Sequence, residues 1–228
     1  MRPLGQGGFA DVFLYRQELP SREVAIKVVR TQGDERGTKE LHREADAMTL
    51  LAGHPAVVEL HGVGTTADGR AYLVMEYCPV ADLLTQVRAR PMDLEKALET
   101  MIKVCGGVEM FHRQGYVHRD IKPSNIMLDA YGKPVLADFG VASKIGQLEV
   151  GAFDGFSVLW APPEQQDVNS LASPLQDVWA LASTTWTFVT GRSPFEDPIG
   201  DNYAASIANR VQRGRMRGLG RADAPAEL

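Results

Sequence analysis

The hydrophobic period of this chain changes once, near residue 78, and that change limits the fold more than any other feature. Before it, short runs rich in β-branched and aromatic residues, Val12–Tyr15 and Val24–Val29, stand either side of a polar turn. Two further strands are expected near Val57–Leu60 and Ala71–Tyr77, joined through the turn Ala67-Asp68-Gly69. Between the pairs, Leu41, Ala45, Met48 and Leu51 recur at helical spacing and predict a helix over Lys39–Ala52, closed by Gly53 and Pro55. After residue 78 the period is that of helices. Asp93 can cap a helix with apolar positions at Leu94, Ala97, Leu98, Met101, Ile102, Cys105, Val108 and Phe111, ending at Gly115. Ser173-Pro174 opens another, running to Thr190 before Gly191. Leu175, Val178, Leu181, Ala182, Trp186 and Val189 make it apolar almost all round, so burial is expected. The expectation is an α+β chain: residues 1–78 a small antiparallel sheet with one helix, residues 79–228 mainly helical.

Composition excludes several classes of function. With 228 residues and 44% hydrophobic content the chain can bury a core. A net charge of −5 removes the usual support for nucleic-acid or anionic-membrane binding. Neither a signal core nor a membrane-spanning apolar run is visible, and two cysteines, Cys78 and Cys105, make no disulfide framework. These features suit a reducing, cytoplasmic setting.

Three groups of residues could carry chemistry. Gly5-Gln6-Gly7-Gly8-Phe9-Ala10-Asp11-Val12 is a glycine-rich turn, where backbone N–H groups can approach phosphate oxygens without a Cβ in the way. Alone it also fits a Rossmann fingerprint or an ordinary hairpin, although the strand pattern that follows speaks against the former. Lys27 sits at an inward position of an apolar strand, where a buried ammonium needs a partner. Glu44 on the following helix is the natural one, and a lysine snorkelling to water is the ordinary alternative. His118-Arg119-Asp120-Ile121-Lys122-Pro123-Ser124-Asn125 gathers a carboxylate, an ammonium and an amide, and Asp138-Phe139-Gly140 places a further carboxylate at a strand end. Asp can accept a proton, Lys can neutralise a phosphoryl group, and Asn can ligate Mg²⁺ through its carbonyl oxygen. Taken singly, each is also common in polar loops, and His118 reads more simply as a packed structural histidine.

In order and spacing these pieces, with Met75-Glu76-Tyr77-Cys78, Pro163-Glu164 and Asp177, resemble the eukaryotic-type Ser/Thr protein kinases. The resemblance implies a two-lobed catalytic domain (1–78 and 79–228) that transfers the γ-phosphoryl of Mg·ATP to protein Ser or Thr hydroxyls. It further implies ATP between the lobes: Gly5, Gly7 and Gly8 over the phosphates, and Val12, Ala25 and Met127 around the adenine. Met75 would be the gatekeeper, with Glu76 and Cys78 at the hinge. Lys27, held by Glu44, would bind the α/β-phosphates, Asp138 and Asn125 the Mg²⁺, while Asp120 orients the acceptor hydroxyl and Lys122 stabilises the transferring group. Met48, Leu60, His118 and Phe139 match an apolar column joining the lobes, anchored by Asp177. A nucleotide-binding pseudokinase, a scaffold or an inactive fragment is the alternative.

Departures from the family pattern are Ala10 at the third loop glycine, Trp160 at a usual Tyr and Pro162 at a usual Ala. The chain also starts at the glycine loop and stops where further helices are expected, which reads as truncation at both ends. The arginine that normally pairs with the glutamate matched by Glu164 has no counterpart, implying an unpaired buried charge. Ser143 and Ser157 are the only hydroxyls in Val141–Ser157, and Glu149 or Asp154 could pair with Arg119. Asp82 could meet a basic group on a substrate.

Overall fold

The structure is a computed structural model that describes residues 2–80, 83–148, 158–167 and 169–220. The expectations placed on Asp82, Glu149, Asp154 and Ser157 lie outside the described residues.

Strands β1 (Arg2–Gln6), β2 (Ala10–Gln17), β3 (Arg22–Val29), β4 (Leu60–Thr65) and β5 (Ala71–Glu76) form one antiparallel sheet in the order β1-β2-β3-β5-β4. Directly paired residues share a face, so register fixes what lines each side. Val12 pairs with Lys27, Ala25 with Leu14 and Met75, and Lys27 with Leu73. Those residues form the inner face, and Phe13, Ile26 and Val28 lie on the outer one.

Helix α1 (Glu35–Leu50) covers part of the inner face, its Leu41 and Ala45 meeting Val29, Ala71 and Leu73. It begins four residues before the expected Lys39 because Asp34 caps it, its side chain accepting from the Gly37 amide at 2.9 Å. The strand expected over Val57–Leu60 is displaced. Residues 56–58 instead bond the backbone of Leu136, at 2.8 and 3.0 Å, and β4 starts only at Leu60. Those two bonds tie the sheet to the helical part.

The helical part contains α2 (Leu83–Ala89), α3 (Leu94–Arg113), α4 (Pro174–Thr190) and α5 (Ala204–Gln212), with the short strands β6 (Tyr116–Val117), β7 (Ile126–Leu128), β8 (Pro134–Leu136) and β9 (Ser143–Lys144). Ala97, Met101, Val104, Val108 and Phe111 form the buried stripe of α3. Ile102, 71% exposed, and Cys105 lie off that stripe and face solvent, contrary to expectation. α4 starts with the capping box of Ser173 and Gln176 and ends at the left-handed Gly191 (φ 76°). The expected burial holds only in part: Val189 is buried and Leu181 and Trp186 are half-buried, but Leu175 and Val178 are exposed, while Gln176, Asp177, Ser183, Thr184 and Thr187 are buried. Gln176 bonds Ser170 and Leu171, Asp177 the amides of His118 and Arg119, Thr184 the Ile121 carbonyl and Thr187 the Trp160 indole, which is why the interior accepts them.

Candidate active site

The inner face of the sheet and the loops around β6–β8 meet at Asp138. Lys27 donates to both carboxylate oxygens of Glu44 (2.8 and 2.7 Å) and to Oδ1 of Asp138 (3.1 Å). Glu44 is 1% exposed and lies on the same helical face as Leu41, Ala45 and Met48, so α1 delivers it beneath the sheet. Burial alone would lower the Lys27 pKa, but the carboxylates of Asp138 and Glu44 outweigh it and hold the ammonium above the ordinary lysine value. The Asp138 side chain is about half exposed; the surrounding protein still desolvates its carboxyl and so opposes ionisation, yet Lys27 and Lys122 keep it below the usual range. Asp138 has positive φ (62°), a backbone region that non-glycine residues rarely adopt.

Across from this trio, Oδ2 of Asp120 accepts from Lys122 Nζ at 2.7 Å and from Asn125 Nδ2 at 3.0 Å. Asn125 also donates from Nδ2 to the Asp120 carbonyl at 2.8 Å, which directs its own side-chain oxygen away from Asp120. The loop that carries Asp120 is fixed from below by α4. Asp177, fully buried, accepts from the amides of His118 (2.8 Å) and Arg119 (2.7 Å), and its Oδ2 lies 2.7 Å from His112 Nε2. Arg119 has φ 68°, so that carboxylate steadies a strained backbone position directly before Asp120. His118 is fully buried and its ring lies 4.7 Å from that of Phe139. Burial holds its pKa below the ordinary histidine value, against the pull of Asp177, Asp120 and Asp138. Met48 and Phe139 belong to the same buried cluster and Leu60 packs against it, so the expected column is contiguous.

At the end of β5, where the hinge was expected, the amide of Glu76 donates to the Glu59 carbonyl at 2.9 Å, and Leu128 bonds the Val80 carbonyl at 2.8 Å, which brings β7 and half-buried Met127 under the segment after Cys78. Met75 is half-buried beside buried Ala25. Cys78 is buried, and burial with Glu76 and Asp129 pushes its thiol up to about 12, which disfavours the reactive thiolate. In the glycine turn, the Gly7 amide bonds the Ala10 carbonyl at 2.8 Å, and a Cβ on Gly7 would stand 3.1 Å from that oxygen. Gly5 and Gly8 have open space around them.

Four residues in this region were not visible in the sequence. Phe9 lies under the Lys27 ammonium, 5.5 Å from centroid to Nζ. Arg30 grips the glycine turn from the other side. His112 completes the Asp177 cluster, and buried Gln165 donates to the Arg119 carbonyl at 2.7 Å. Neighbouring Glu164 is exposed, so the expected unpaired buried charge is absent and Gln165 holds the segment instead. Arg119 meets Ser143 at 3.3 Å.

Among the described residues no group of three or more His, Cys, Asp or Glu could hold a metal, and no helix is long and apolar enough to cross a membrane. Residues 1–223 match the family model described as "Protein kinase domain". Curated relatives include "Serine/threonine-protein kinase PknK" of Mycobacterium bovis, 36% identical over 207 residues (90% of this chain, 18% of that protein). "Serine/threonine-protein kinase PrkC" of Bacillus subtilis is 33% identical over 201 residues (86% and 31%). "Serine/threonine-protein kinase PEPKR2" of Arabidopsis thaliana is 33% identical over 215 residues (91% and 43%). The chain thus spans less than half the length of each.

Proposed function

The chain belongs to the protein kinase domain family, and from that premise we propose that it transfers the γ-phosphoryl of Mg·ATP to Ser or Thr hydroxyls of protein substrates. The catalytic unit is one domain with lobes at 1–78 and 79–228. The observation that carries this reading is the meeting of two hydrogen-bonded sets, Lys27–Glu44–Asp138 and Asp120–Lys122–Asn125. Phosphoryl transfer demands alignment and charge neutralisation more than covalent chemistry, and these sets supply both.

Lys27, held by Glu44, binds the α/β-phosphates. Gly5, Gly7 and Gly8 bring backbone N–H groups over the phosphates, and Val12, Ala25 and Met127 enclose the adenine. Met75 lies behind the ring, and the hinge backbone at Glu76 and Cys78 recognises its edge. The acceptor hydroxyl approaches Asp120, whose carboxylate is oriented by Lys122 and Asn125 and receives the hydroxyl proton. Lys122 stands beside that carboxylate, placed to steady the γ-phosphoryl as it passes.

The donor set fits Mg²⁺. Two protein oxygens, one from the Asp138 carboxylate and one from the Asn125 amide, are few, but Mg²⁺ with nucleotide takes most of its ligands from phosphates and water. When bound, the ion would neutralise phosphate charge. Two free cysteines support a reducing compartment, the cytoplasm.

The test is transfer from labelled ATP with Mg²⁺ to a generic protein substrate by the full chain. Label on Ser or Thr that falls at least about a hundredfold in Asp120→Asn and Asp138→Ala is expected. Undiminished transfer in Asp120→Asn would sink the assignment. ATP binding without turnover would instead favour a scaffold.

A further inference from the structure

Arg30 follows β3 directly and sits on the opposite side of the sheet from Lys27, three positions earlier. Its amide bonds the Phe9 carbonyl at 2.9 Å, which closes the glycine turn against the strand. Its guanidinium makes a forked contact. Nη2 donates to the Gly7 carbonyl at 2.7 Å and to Asp11 Oδ1 at 2.9 Å, while Nε meets Asp11 Oδ1 at 3.2 Å. Asp11 pairs with Val28 across β2 and β3 and so shares the outer face.

The consequence follows from peptide geometry. In a trans peptide the C=O and the next N–H point in opposite directions. Drawing the Gly7 carbonyl toward Arg30 on the outer side therefore turns the Gly8 N–H toward the inner side, where Lys27 and Phe9 lie. Glycine at 7 and 8 leaves this peptide free to rotate, so something must fix its direction. We propose that Arg30, clamped to Asp11, is a positioning residue that holds the Gly7–Gly8 peptide with its N–H aimed at the nucleotide phosphates. The proposal rests on the ATP-binding reading above. Arg30 touches neither nucleotide nor substrate. A planar fork that reaches a carboxylate and a carbonyl together suits arginine and not lysine, whose single ammonium carries one point charge.

The test compares Mg·ADP with adenosine binding to the full chain by calorimetry, for wild type, Arg30→Met, Arg30→Lys and Asp11→Ala. Arg30→Met is expected to weaken Mg·ADP binding by about five- to tenfold, the size of one hydrogen bond, and to leave adenosine binding and the unfolding midpoint unchanged. Arg30→Lys should resemble Arg30→Met. Adding Arg30→Met to Asp11→Ala should weaken binding little further. If Arg30→Lys binds Mg·ADP like wild type, only positive charge matters and the positioning role is wrong. Equal loss for adenosine and Mg·ADP would mean general loop damage and would also overturn it. A wild type that binds neither ligand removes the ATP-binding reading itself, and a wild type that binds both while Arg30→Met matches it removes this proposal alone.

Discussion

Replacing Asp177 tests how the loop carrying Asp120 is held. Its carboxylate is fully buried and accepts from two backbone amides, His118 and Arg119, at 2.8 and 2.7 Å, with His112 Nε2 2.7 Å away. Asp177→Ala leaves both amides without that acceptor, and each buried unpaired donor costs about 1–3 kcal/mol. Arg119, at φ 68°, also loses what keeps it in a region that costs about 1–2 kcal/mol. It is then expected to relax, returning part of the loss but moving Asp120. The net expectation is a destabilisation of about 3–4 kcal/mol, with phosphoryl transfer reduced more than a hundredfold. Asp177→Asn keeps one acceptor oxygen of the two and should fall between. Urea unfolding followed by tryptophan fluorescence gives the stability, and single-turnover transfer gives the rate. An Asp177→Ala protein within about 1 kcal/mol of wild type, or one that transfers at the wild-type rate, would show that α4 does not position this loop.

Lys27→Met should destabilise by about 3–5 kcal/mol, since it strands the buried Glu44 carboxylate, and adding Glu44→Gln should restore much of the stability but no activity; paired urea titrations and transfer assays check both halves. The lowered pKa of His118 means that the unfolded chain takes up its proton below about 6.5 while the folded one does not, so stability falls as pH drops through that value. Asp138, also lowered, contributes stability above its unfolded value near 3.8 and loses it as pH falls through its still lower folded value. Urea midpoints at pH 7.5, 6 and 5 should therefore decline, and less so in His118→Phe. With its thiol pushed up to about 12, Cys78 should resist iodoacetamide at pH 8 while exposed Cys105 reacts, as peptide mass mapping would reveal. Gly191→Ala must take φ 76° and place its Cβ 2.8 Å from the Val87 carbonyl oxygen, so a loss of at least about 2 kcal/mol in thermal unfolding is expected.

The strands β2, β3 and β5, helix α3 and the caps of α4 were legible because alternation, helical period and capping chemistry are local. The pairing of Lys27 with Glu44, and the closeness of Asp120, Lys122 and Asn125, were legible too, because these residues have distinctive types in a distinctive order. What the chain hid depends on partners far away in sequence. Val57 and Val58 look like a strand, but their hydrogen bonds go to Leu136, and that choice is made by packing. Ile102 and Cys105 fit an apolar pattern loosely and miss the buried stripe by one helical position. Helices α2 and α5 are short, and a period needs more than two turns to stand out. Arg30 and His112 escaped notice because nothing nearby reveals that an arginine will reach a carbonyl 23 residues earlier, or a histidine a carboxylate 65 residues later.

The polar residues on the inward stripe of α4 have a consequence for how the molecule breathes. Its inward stripe holds the loop before Asp120 through Asp177 and, through Thr187, the indole Nε1–H of Trp160 at 3.0 Å. Ten residues separate those two attachment points, about 15 Å along the helix axis. Directional bonds tolerate little sliding, so neither segment can shift alone without breaking them. The amides of His118 and Arg119, though they belong to a loop, should then exchange with deuterium as slowly as those of the α4 interior, opening only when the helix itself comes apart.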